Sequence, residues 1–399
     1  MIRGIPILED LGDLEGKSVL VRVDFNVPLS ETISGERVVA DDFRIRAALP
    51  TLFWLRDHGA RVTACSHLGR PKGKPDPEFD MRPVAARLAE LIEGVDLLEN
   101  LRFSPGEEAN DPDFVSKLVE GHDAFVNDAF GASHRAHASV VGPPKYLPSA
   151  AGRLMAKEVE VLTDLLDSPA RPFVAAIGGA KVTDKMGALR SLAAKADTTL
   201  IGGGMSFTFL KALGHSIGAS LCDPTHLDAC AELLGSPAHV VLPSDCKALA
   251  PGRKLSIEHP SGDDEVKGTD RDAGPDVEAF GLEIPEGWRG ADIGPATIAQ
   301  FAGIIGAART VLWNGPMGVF EDDRFAEGTK AVAEAVANCP GHTVVGGGDS
   351  VAALAELGLE DKIDHVSTGG GATLELLENG DLPGLAALRS APNARPDAR

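Results

Sequence analysis

Short apolar runs alternate with amphipathic segments along the first half of the chain. Residues 41–59 and 80–94 have the spacing of amphipathic helices, and Asp41 or Asp42 is a suitable N-cap for the first of them. The runs that predict buried strands are residues 18–25, 61–66, 95–100 and 123–130. Strands that alternate with helices in this way predict an α/β fold, with a parallel sheet covered by helices on both faces.

The same alternation returns in the second half. Residues 151–169 predict a long amphipathic helix that ends at a Ser-Pro break, so we place a domain boundary near residue 170. Residues 248–286, rich in Gly, Pro and Asp, predict an irregular excursion. The strand-like runs of this half are residues 171–179, 197–203, 239–244, 309–315, 342–347 and 364–370.

Length and charge limit what the chain does. Its 399 residues suggest two or three domains, and the absence of an 18-residue apolar stretch excludes a membrane span. The start of the sequence has no signal-peptide pattern, and the five cysteines form no CxxC pair, so we expect a cytoplasmic protein. The net charge of −21 argues against nucleic-acid or anionic-membrane partners.

Glycines follow four strand-like runs of the second half, each time before a helical pattern. In a parallel sheet, the carboxyl ends of the strands lie at one edge, where glycine permits close approach of a phosphate to backbone N–H groups. One such pair is usually a tight turn, but four at one edge predict phosphate binding. The glycine groups are 178–179, 202–204, 346–348 and 369–371.

Neither of the two common phosphate motifs is present. Residues 12–18 resemble a P-loop, but the glycines are too close together and the segment precedes a strand; no GxGxxG occurs. Lys181 and Lys185 are four residues apart, which predicts one face of a helix directed at phosphates, although surface lysines are the alternative. Asp349 is either an N-cap or a Mg²⁺ ligand, and WNGPMGVFE places Asn314 and Glu321 at the same edge.

The first half instead carries many basic residues close to strand ends. Arginine offers a planar fork suited to phosphate and carboxylate groups, so the set predicts an anion pocket in an otherwise acidic chain. His134 and His137 are spaced for a metal, but the intervening Arg135 disfavours one. The candidates at these positions are the basic residues Arg22, Arg44, His67, Arg70, Arg102, His134 and Arg135, together with Asp24 and Asn26.

Nine motifs from both halves resemble the phosphoglycerate kinase family. They occur in the family's order, and together they extend from about residue 17 to residue 385, so the resemblance is specific. From first to last, the motifs are VRVDFNVP, SHLGRP, LLENLRF, FVNDAFGxxHRAH, GGAKVTDK, IGGGMSFTFL, WNGPMGVFE, VGGGDS and HVSTGGGATLELL.

The resemblance implies a monomeric enzyme of two Rossmann-like domains joined by a helical hinge. Residues 1–170, including the interdomain helix 151–169, would bind 3-phosphoglycerate or 1,3-bisphosphoglycerate. Residues 171–380 would bind ATP or ADP with Mg²⁺, and residues 381–399 would pack back on the first domain. The implied reaction is the reversible, direct in-line phosphoryl transfer of glycolysis and gluconeogenesis, with hinge closure.

The resemblance also implies residue roles. Substrate contacts would come from Arg22, Asp24, Asn26, Arg44, His67, Arg70, Arg102, His134 and Arg135. Nucleotide contacts would come from Gly179, Lys181, Lys185, Gly203, Asn314, Glu321, Gly347, Gly348, Asp349 and Ser350, with Asp349 at the metal. The catalytic groups would be Arg44, Lys181, Gly369, Gly370 and Gly371.

Two other functions are compatible with the pattern alone. One is a different nucleotide-dependent enzyme of the same architecture, such as an NAD-dependent dehydrogenase or an acyl-phosphate ligase. The missing GxGxxG and the many arginines of the first half weigh against it. The second is a two-domain anion-binding protein without catalysis, which would leave Lys181, Lys185 and Asp349 without a role.

The acidic excess has two explanations, a well-hydrated surface or adaptation to high salt. Salt screens repulsion between exposed like charges, so adaptation predicts a higher thermal midpoint in about 2 M KCl than in about 0.1 M KCl. Thermal unfolding followed by circular dichroism measures this difference. A midpoint that does not rise with salt would leave the hydrated surface as the explanation.

Overall fold

The computed structural model describes residues 3–256 and 276–393, and the chain divides into two units. The first unit is Met1–Thr163 together with Asn379–Arg399, and the second is Asp164–Glu378. The division therefore falls inside the helix Arg153–Asp167, slightly before the boundary predicted near residue 170. Among the described residues, no helix is long and apolar enough to cross a bilayer.

The strands are short and mostly buried. In chain order they are β1 (Ser18–Arg22), β2 (Leu29–Glu31), β3 (Arg37–Val39), β4 (Arg61–Cys65), β5 (Val95–Leu97), β6 (Ala124–Asn127), β7 (Ser149–Ala151), β8 (Phe173–Ile177), β9 (Thr198–Ile201), β10 (Val240–Val241), β11 (Cys246–Leu249), β12 (Val277–Phe280), β13 (Arg289–Ile293), β14 (Thr310–Asn314), β15 (His342–Gly346) and β16 (His365–Val366).

Helices connect most of these strands. They are α1 (Phe43–Asp57), α2 (Arg82–Leu91), α3 (Pro105–Glu108), α4 (Pro112–Val119), α5 (Ala138–Val141), α6 (Arg153–Asp167), α7 (Met186–Ala193), α8 (Ser206–Ala212), α9 (Leu227–Leu234), α10 (Pro295–Gly306), α11 (Glu327–Ala337), α12 (Gly348–Leu357), α13 (Gly370–Asn379) and α14 (Pro383–Arg389). Short 3₁₀ turns lie at Leu8–Leu11, Pro77–Phe79, Leu101–Phe103, Phe130–Ala132, Pro143–Lys145, Pro224–His226, Asp323–Phe325 and Glu360–Lys362.

The first unit is built on a parallel sheet in the order β5-β4-β1-β6-β7. Side chains of β1 alternate between two apolar layers, since Val19 and Val21 pack with α1 whereas Leu20 packs with Phe125 on the opposite face. The chain leaves β1 towards β4 on one side and returns to β6 on the other. Loops at the carboxyl ends of these strands therefore flank a topological switch point, where open α/β sheets bind ligands.

The second unit repeats this plan with a parallel sheet in the order β10-β9-β8-β14-β15-β16. The switch point lies between β8 and β14, where Ile177 and Asn314 are paired at the carboxyl ends of their strands. Apolar side chains of β14 and β15 pack against α10, α11 and α12. The predicted α/β class, with parallel sheets covered by helices, is confirmed.

Two local predictions differ from the structure. The segment that contains Lys181 and Lys185 is a loop, because α7 begins only at Met186 and the Lys185 side chain folds back onto Gly178. The prediction that both lysines share a helix face is therefore wrong. Residues 248–286 are not wholly irregular, because β11, β12 and β13 form a small antiparallel sheet. Residues 257–275 of that segment lie outside the described residues.

The chain end is held within the first unit by backbone-directed hydrogen bonds. Gly384 N donates to Ser133 O at 2.9 Å, and Asn393 exchanges two hydrogen bonds with Ser149, at 2.8 and 3.1 Å. Gly384 also sits against the Ser133 side chain, where an added Cβ would lie 2.7 Å from Oγ. These contacts attach α14 and the residues up to Asn393 to the edge that carries β7.

Candidate active site

A cavity of about 200 Å³ opens at the carboxyl ends of the first unit's strands. Its walls come from the loops after β1, β4, β5 and β6, together with one side chain of α1. The lining residues are Asp24, Asn26, Arg44, His67, Gly69, Arg70, Arg102, Gly131, Ala132, His134, Arg135 and His137. The structure thus brings together all the predicted substrate residues except Arg22.

The one acidic side chain among these lining residues is held by an arginine. Arg44 Nη1 donates to Asp24 Oδ2 at 2.6 Å. Burial by itself would raise the pKa of Asp24, but Arg44 and other nearby cations outweigh it and hold this pKa below its usual range. Asp24 is therefore ionised at neutral pH, and it fixes the Arg44 guanidinium at the cavity wall.

The histidines of the cavity are neutral at neutral pH. Burial lowers the pKa of His67 well below its usual value, and it lowers those of His134 and His137 as well. Neighbouring arginines act in the same direction on all three rings. Positive charge in the cavity therefore resides on its arginines. Each neutral histidine offers one ring N–H donor, and a bound anion would raise the pKa of the ring.

Arg22 lies beneath the cavity and does not line it. Its side chain is 1% exposed, and it donates to Ser139 Oγ at 2.7 Å and to the carbonyl oxygen of Val23. Its Nη2 lies 3.2 Å from His67 Nδ1. The predicted direct contact of Arg22 with substrate is thus replaced by contacts with protein, one of which is to a cavity histidine.

Arg102 and Asn26 are oriented by the loop after β4. Arg102 Nη1 donates to Gly69 O at 2.8 Å, and Gly69 N donates to Asn26 Oδ1 at 2.9 Å. Arg102 Nε lies 3.2 Å from Glu108 Oε1. Sequence reasoning missed this acidic partner, although the Glu-Glu pair soon after the basic LRF motif was a visible signal.

In the second unit, glycine loops pack backbone against backbone at the switch point. A Cβ added to Gly178 would lie 2.1 Å from Pro316 O, and one added to Gly203 would lie 2.6 Å from Gly179 N. Gly203 also has a φ of +67°, which disfavours other residues. The predicted Gly203 is therefore required by close loop packing, whereas a Cβ added to Gly179 would lie 3.2 Å from Lys185 Nζ. Within this packing, Gly179 N donates to Pro316 O at 2.9 Å and Gly203 N donates to Met317 O at 3.0 Å.

Lys185 ties three of these loop groups together. Its Nζ donates to Gly178 O at 2.7 Å and to Asn314 Oδ1 at 2.9 Å, and it lies 3.3 Å from Asn314 O. Burial lowers the pKa of Lys185 to about 8, although Asp349 and Asp184 act in the opposite direction. The ammonium group thus holds the loops after β8 and β14 in register.

The remaining predicted residues fall into exposed and supporting groups. Lys181, Glu321 and Asp349 are exposed, and Asp349 lies in the first turn of α12 after Gly347 and Gly348. Ser350 is buried and accepts a hydrogen bond from Gly315 N at 2.6 Å, so it supports a neighbouring loop. Gly369 directly precedes α13, which begins with Gly370 and Gly371 at its exposed N-terminus.

The described residues fit a metal held mainly by a nucleotide. They contain no group of three or more His, Cys, Asp or Glu side chains arranged around a common point. Mg²⁺ commonly binds through one or two carboxylates together with substrate phosphates and water. The exposed Asp349 carboxylate, which follows Gly347 and Gly348 at the start of α12, agrees with that pattern.

Comparison with known proteins places the chain in a family. The sequence matches the profile of the family described as phosphoglycerate kinase over residues 8–96 and 93–380. The chain belongs to the phosphoglycerate kinase family. It is 50% identical to the phosphoglycerate kinase of Rubrobacter xylanophilus, over 94% of this chain and 96% of that protein. It is also 50% identical to that of Moorella thermoacetica, over 96% and 98%.

Solved structures of the phosphoglycerate kinase family agree with this membership. The structure of phosphoglycerate kinase from Coxiella burnetii matches with a TM-score of 0.80 at 36% identity, over 96% of this chain and 98% of that chain. That from Pyrococcus horikoshii matches with a TM-score of 0.79 at 29% identity. The predicted family is confirmed, and with it the general activity, the glycolytic phosphoryl transfer between ATP and 3-phosphoglycerate.

The lowered pKa of Lys185 predicts an alkaline limit on nucleotide use. Only the ammonium form can donate to all of its acceptors, so deprotonation leaves a carbonyl or amide oxygen unpaired. We expect kcat/KM for MgATP to fall as pH rises through about 8, because this ratio reports groups of the enzyme before the nucleotide binds.

The matched control is Lys185→Arg, whose guanidinium stays charged across this range. Whatever activity it retains should show no decline near pH 8. An unchanged kcat/KM up to pH 9.5 in the original protein would contradict the prediction.

Proposed function

We propose that the cavity of the first unit binds 3-phosphoglycerate and that the glycine loops of the second unit bind the Mg-nucleotide. The observation that carries the first assignment is the convergence of four arginines with the single carboxylate Asp24 around the cavity. An anion with two charged ends, such as phosphoglycerate with its phosphate and its carboxylate, suits this charge distribution. Cytoplasmic location and a monomeric state stay predictions of the sequence.

The acceptor needs positioning more than activation. Its carboxylate is already an anion at neutral pH, so no general base is required to create the nucleophile. Arg70, Arg102 and Arg135 are the candidates for the phosphate end, since each offers a fork that matches phosphate oxygens. Asp24 and Asn26 are then left for the hydroxyl and carboxylate region.

The donor side supplies fixed positive groups at the phosphates. Lys181 is exposed at the end of the β8 loop, where its ammonium is free to follow the transferred phosphoryl group. The N-terminus of α13 at Gly370 and Gly371 offers backbone N–H groups and the positive end of the helix dipole. Glu321 is assigned to ribose hydroxyl groups.

Charge neutralisation is the main requirement of the transfer step. In-line transfer brings several negatively charged oxygens close together, in a loose transition state with charge on the equatorial oxygens. Arg44, Lys181 and the N–H groups at Gly370 are assigned to these oxygens. Mg²⁺ held through Asp349 and the nucleotide would supply further neutralisation of phosphate charge.

Transfer also requires the two ligands to meet. The carboxylate oxygen must reach bonding distance of the γ-phosphorus, so we expect closure when both ligands are bound. Small-angle scattering should then give a smaller radius of gyration with 3-phosphoglycerate and a non-hydrolysable MgATP analogue together than without ligand. An unchanged radius would count against closure.

The proposed function is tested by coupling the bisphosphoglycerate product to its reduction, in the presence of MgATP and 3-phosphoglycerate. We expect turnover to require all three components. In this assay, Arg44→Ala should lower kcat by about 10²–10³, as expected for loss of one electrophilic contact to the transition state. A loss of less than fivefold would remove Arg44 from the proposed role.

Arg46→Ala is the matched control for this variant. Arg46 lies on the same helix, pairs with Asp42 at 2.8 Å, and does not line the cavity. Its substitution removes the same charge from α1, so kcat should stay within about twofold, as is usual for an exposed side chain. An equal loss in both variants would point to long-range charge and not to a contact at the cavity.

A further inference from the structure

A fully buried carboxylate lies behind the cavity. Glu107 belongs to the short helix α3, is 0% exposed, and does not line the cavity. Burying an ionised carboxylate is unfavourable unless hydrogen bonds and opposite charges compensate for lost hydration. Its partners therefore show what the fold gains from keeping it there.

Both carboxylate oxygens of Glu107 accept hydrogen bonds from Ser139, in the segment after β6. Oε2 accepts from Ser139 N at 2.9 Å, and Oε1 accepts from Ser139 Oγ at 2.6 Å. His137 Nδ1 lies 3.9 Å from Oε1. Ser139 and His137 belong to the chain that leaves the cavity after His134 and Arg135, so Glu107 fixes the end of this basic loop.

Ser139 also contacts Arg22, which in turn contacts a histidine on another side of the cavity. Its Oγ donates to Glu107 and accepts from Arg22 Nε at 2.7 Å. Arg22 Nη2 in turn lies 3.2 Å from Nδ1 of His67, which lines the cavity. A continuous set of short contacts therefore connects Glu107 with cavity residues on the loops after β4 and β6.

We propose that Glu107 is a positioning residue for the acceptor site, which acts through Ser139 to fix Arg22, His67 and the basic loop of Arg135. It touches no cavity surface itself, so its effect on the substrate is indirect. This inference rests on the proposed assignment of the cavity to 3-phosphoglycerate.

A purely packing role explains these contacts less well. An apolar side chain of similar size would fill the space without the desolvation of a charge, and such replacements of buried ion pairs are often neutral or stabilising. The adjacent Glu108 makes an ion pair with Arg102, another cavity residue. Two consecutive acids thus hold two sides of one basic cavity, an arrangement that packing alone does not require.

The test measures KM for 3-phosphoglycerate and KM for MgATP separately. Ser139→Ala removes only an oxygen, and we expect it to raise KM for 3-phosphoglycerate about tenfold, as for loss of a charge-assisted hydrogen-bond link. Glu107→Ala should have a larger effect. Glu107→Gln, which retains one acceptor for Ser139 N, should recover most of the affinity. KM for MgATP should stay within about twofold in all three.

Asp123→Asn is the control for removing a carboxylate from the same unit. Asp123 accepts a hydrogen bond from Ser18 N at 2.8 Å, at the amino end of β1 and so at the opposite edge of the sheet. Its KM for 3-phosphoglycerate should not change. Thermal unfolding of each variant is used to choose an assay temperature at which that variant is folded. If Glu107→Ala does not fold, the KM values of Ser139→Ala test the positioning role.

Arg135→Ala separates failure of this inference from failure of the proposed site. If Arg135→Ala raises KM for 3-phosphoglycerate and Ser139→Ala does not, the site stands and the positioning role is overturned. If neither changes it, both the site and the role are overturned. A parallel rise in both KM values of Ser139→Ala, or a lower melting temperature with unchanged KM, would also reduce Glu107 to a structural residue.

Discussion

Repulsion among the arginines of one small cavity is the constraint on which the first unit depends. Arg44, Arg70, Arg102 and Arg135 share about 200 Å³, and each must stay charged and oriented before an anion arrives. The fold meets this constraint with Asp24 inside the cavity and Glu108 at its side, while burial keeps the nearby histidines neutral. The result is a cavity whose positive groups are held in place before an anion binds.

The second unit meets a different demand with the same sheet topology. Its strands also end at a switch point, but the loops there consist of glycine backbone instead of arginine side chains. Lys185 and Ser350 hold these loops together through hydrogen bonds to Gly178 and Gly315. One unit therefore presents side-chain cations at its strand ends, and the other presents glycine loops that hydrogen-bond to one another.

The sequence was most informative where a residue type has few alternative uses. Buried strands could be predicted from apolar runs, and the glycines at their ends predicted tight loops at the carboxyl edge of the sheet, because both patterns are local. The position of Arg22 beneath the cavity could not be predicted, since a strand-end arginine looks the same whether it points to solvent or to Ser139. The short strands β11 and β12 were missed because tertiary pairing, and not composition, makes them strands.

Close packing of the loops at Gly178 and Gly203 also limits how this site can vary. No side chain fits at either position, since an added Cβ would lie within 3 Å of neighbouring backbone atoms. A substitution at either glycine would therefore disrupt the loop geometry and could not adjust it in small steps. Variation in this unit must therefore arise where side chains have volume to exchange, such as the apolar cluster of Phe207, Ile217 and Ile284 beside the small antiparallel sheet.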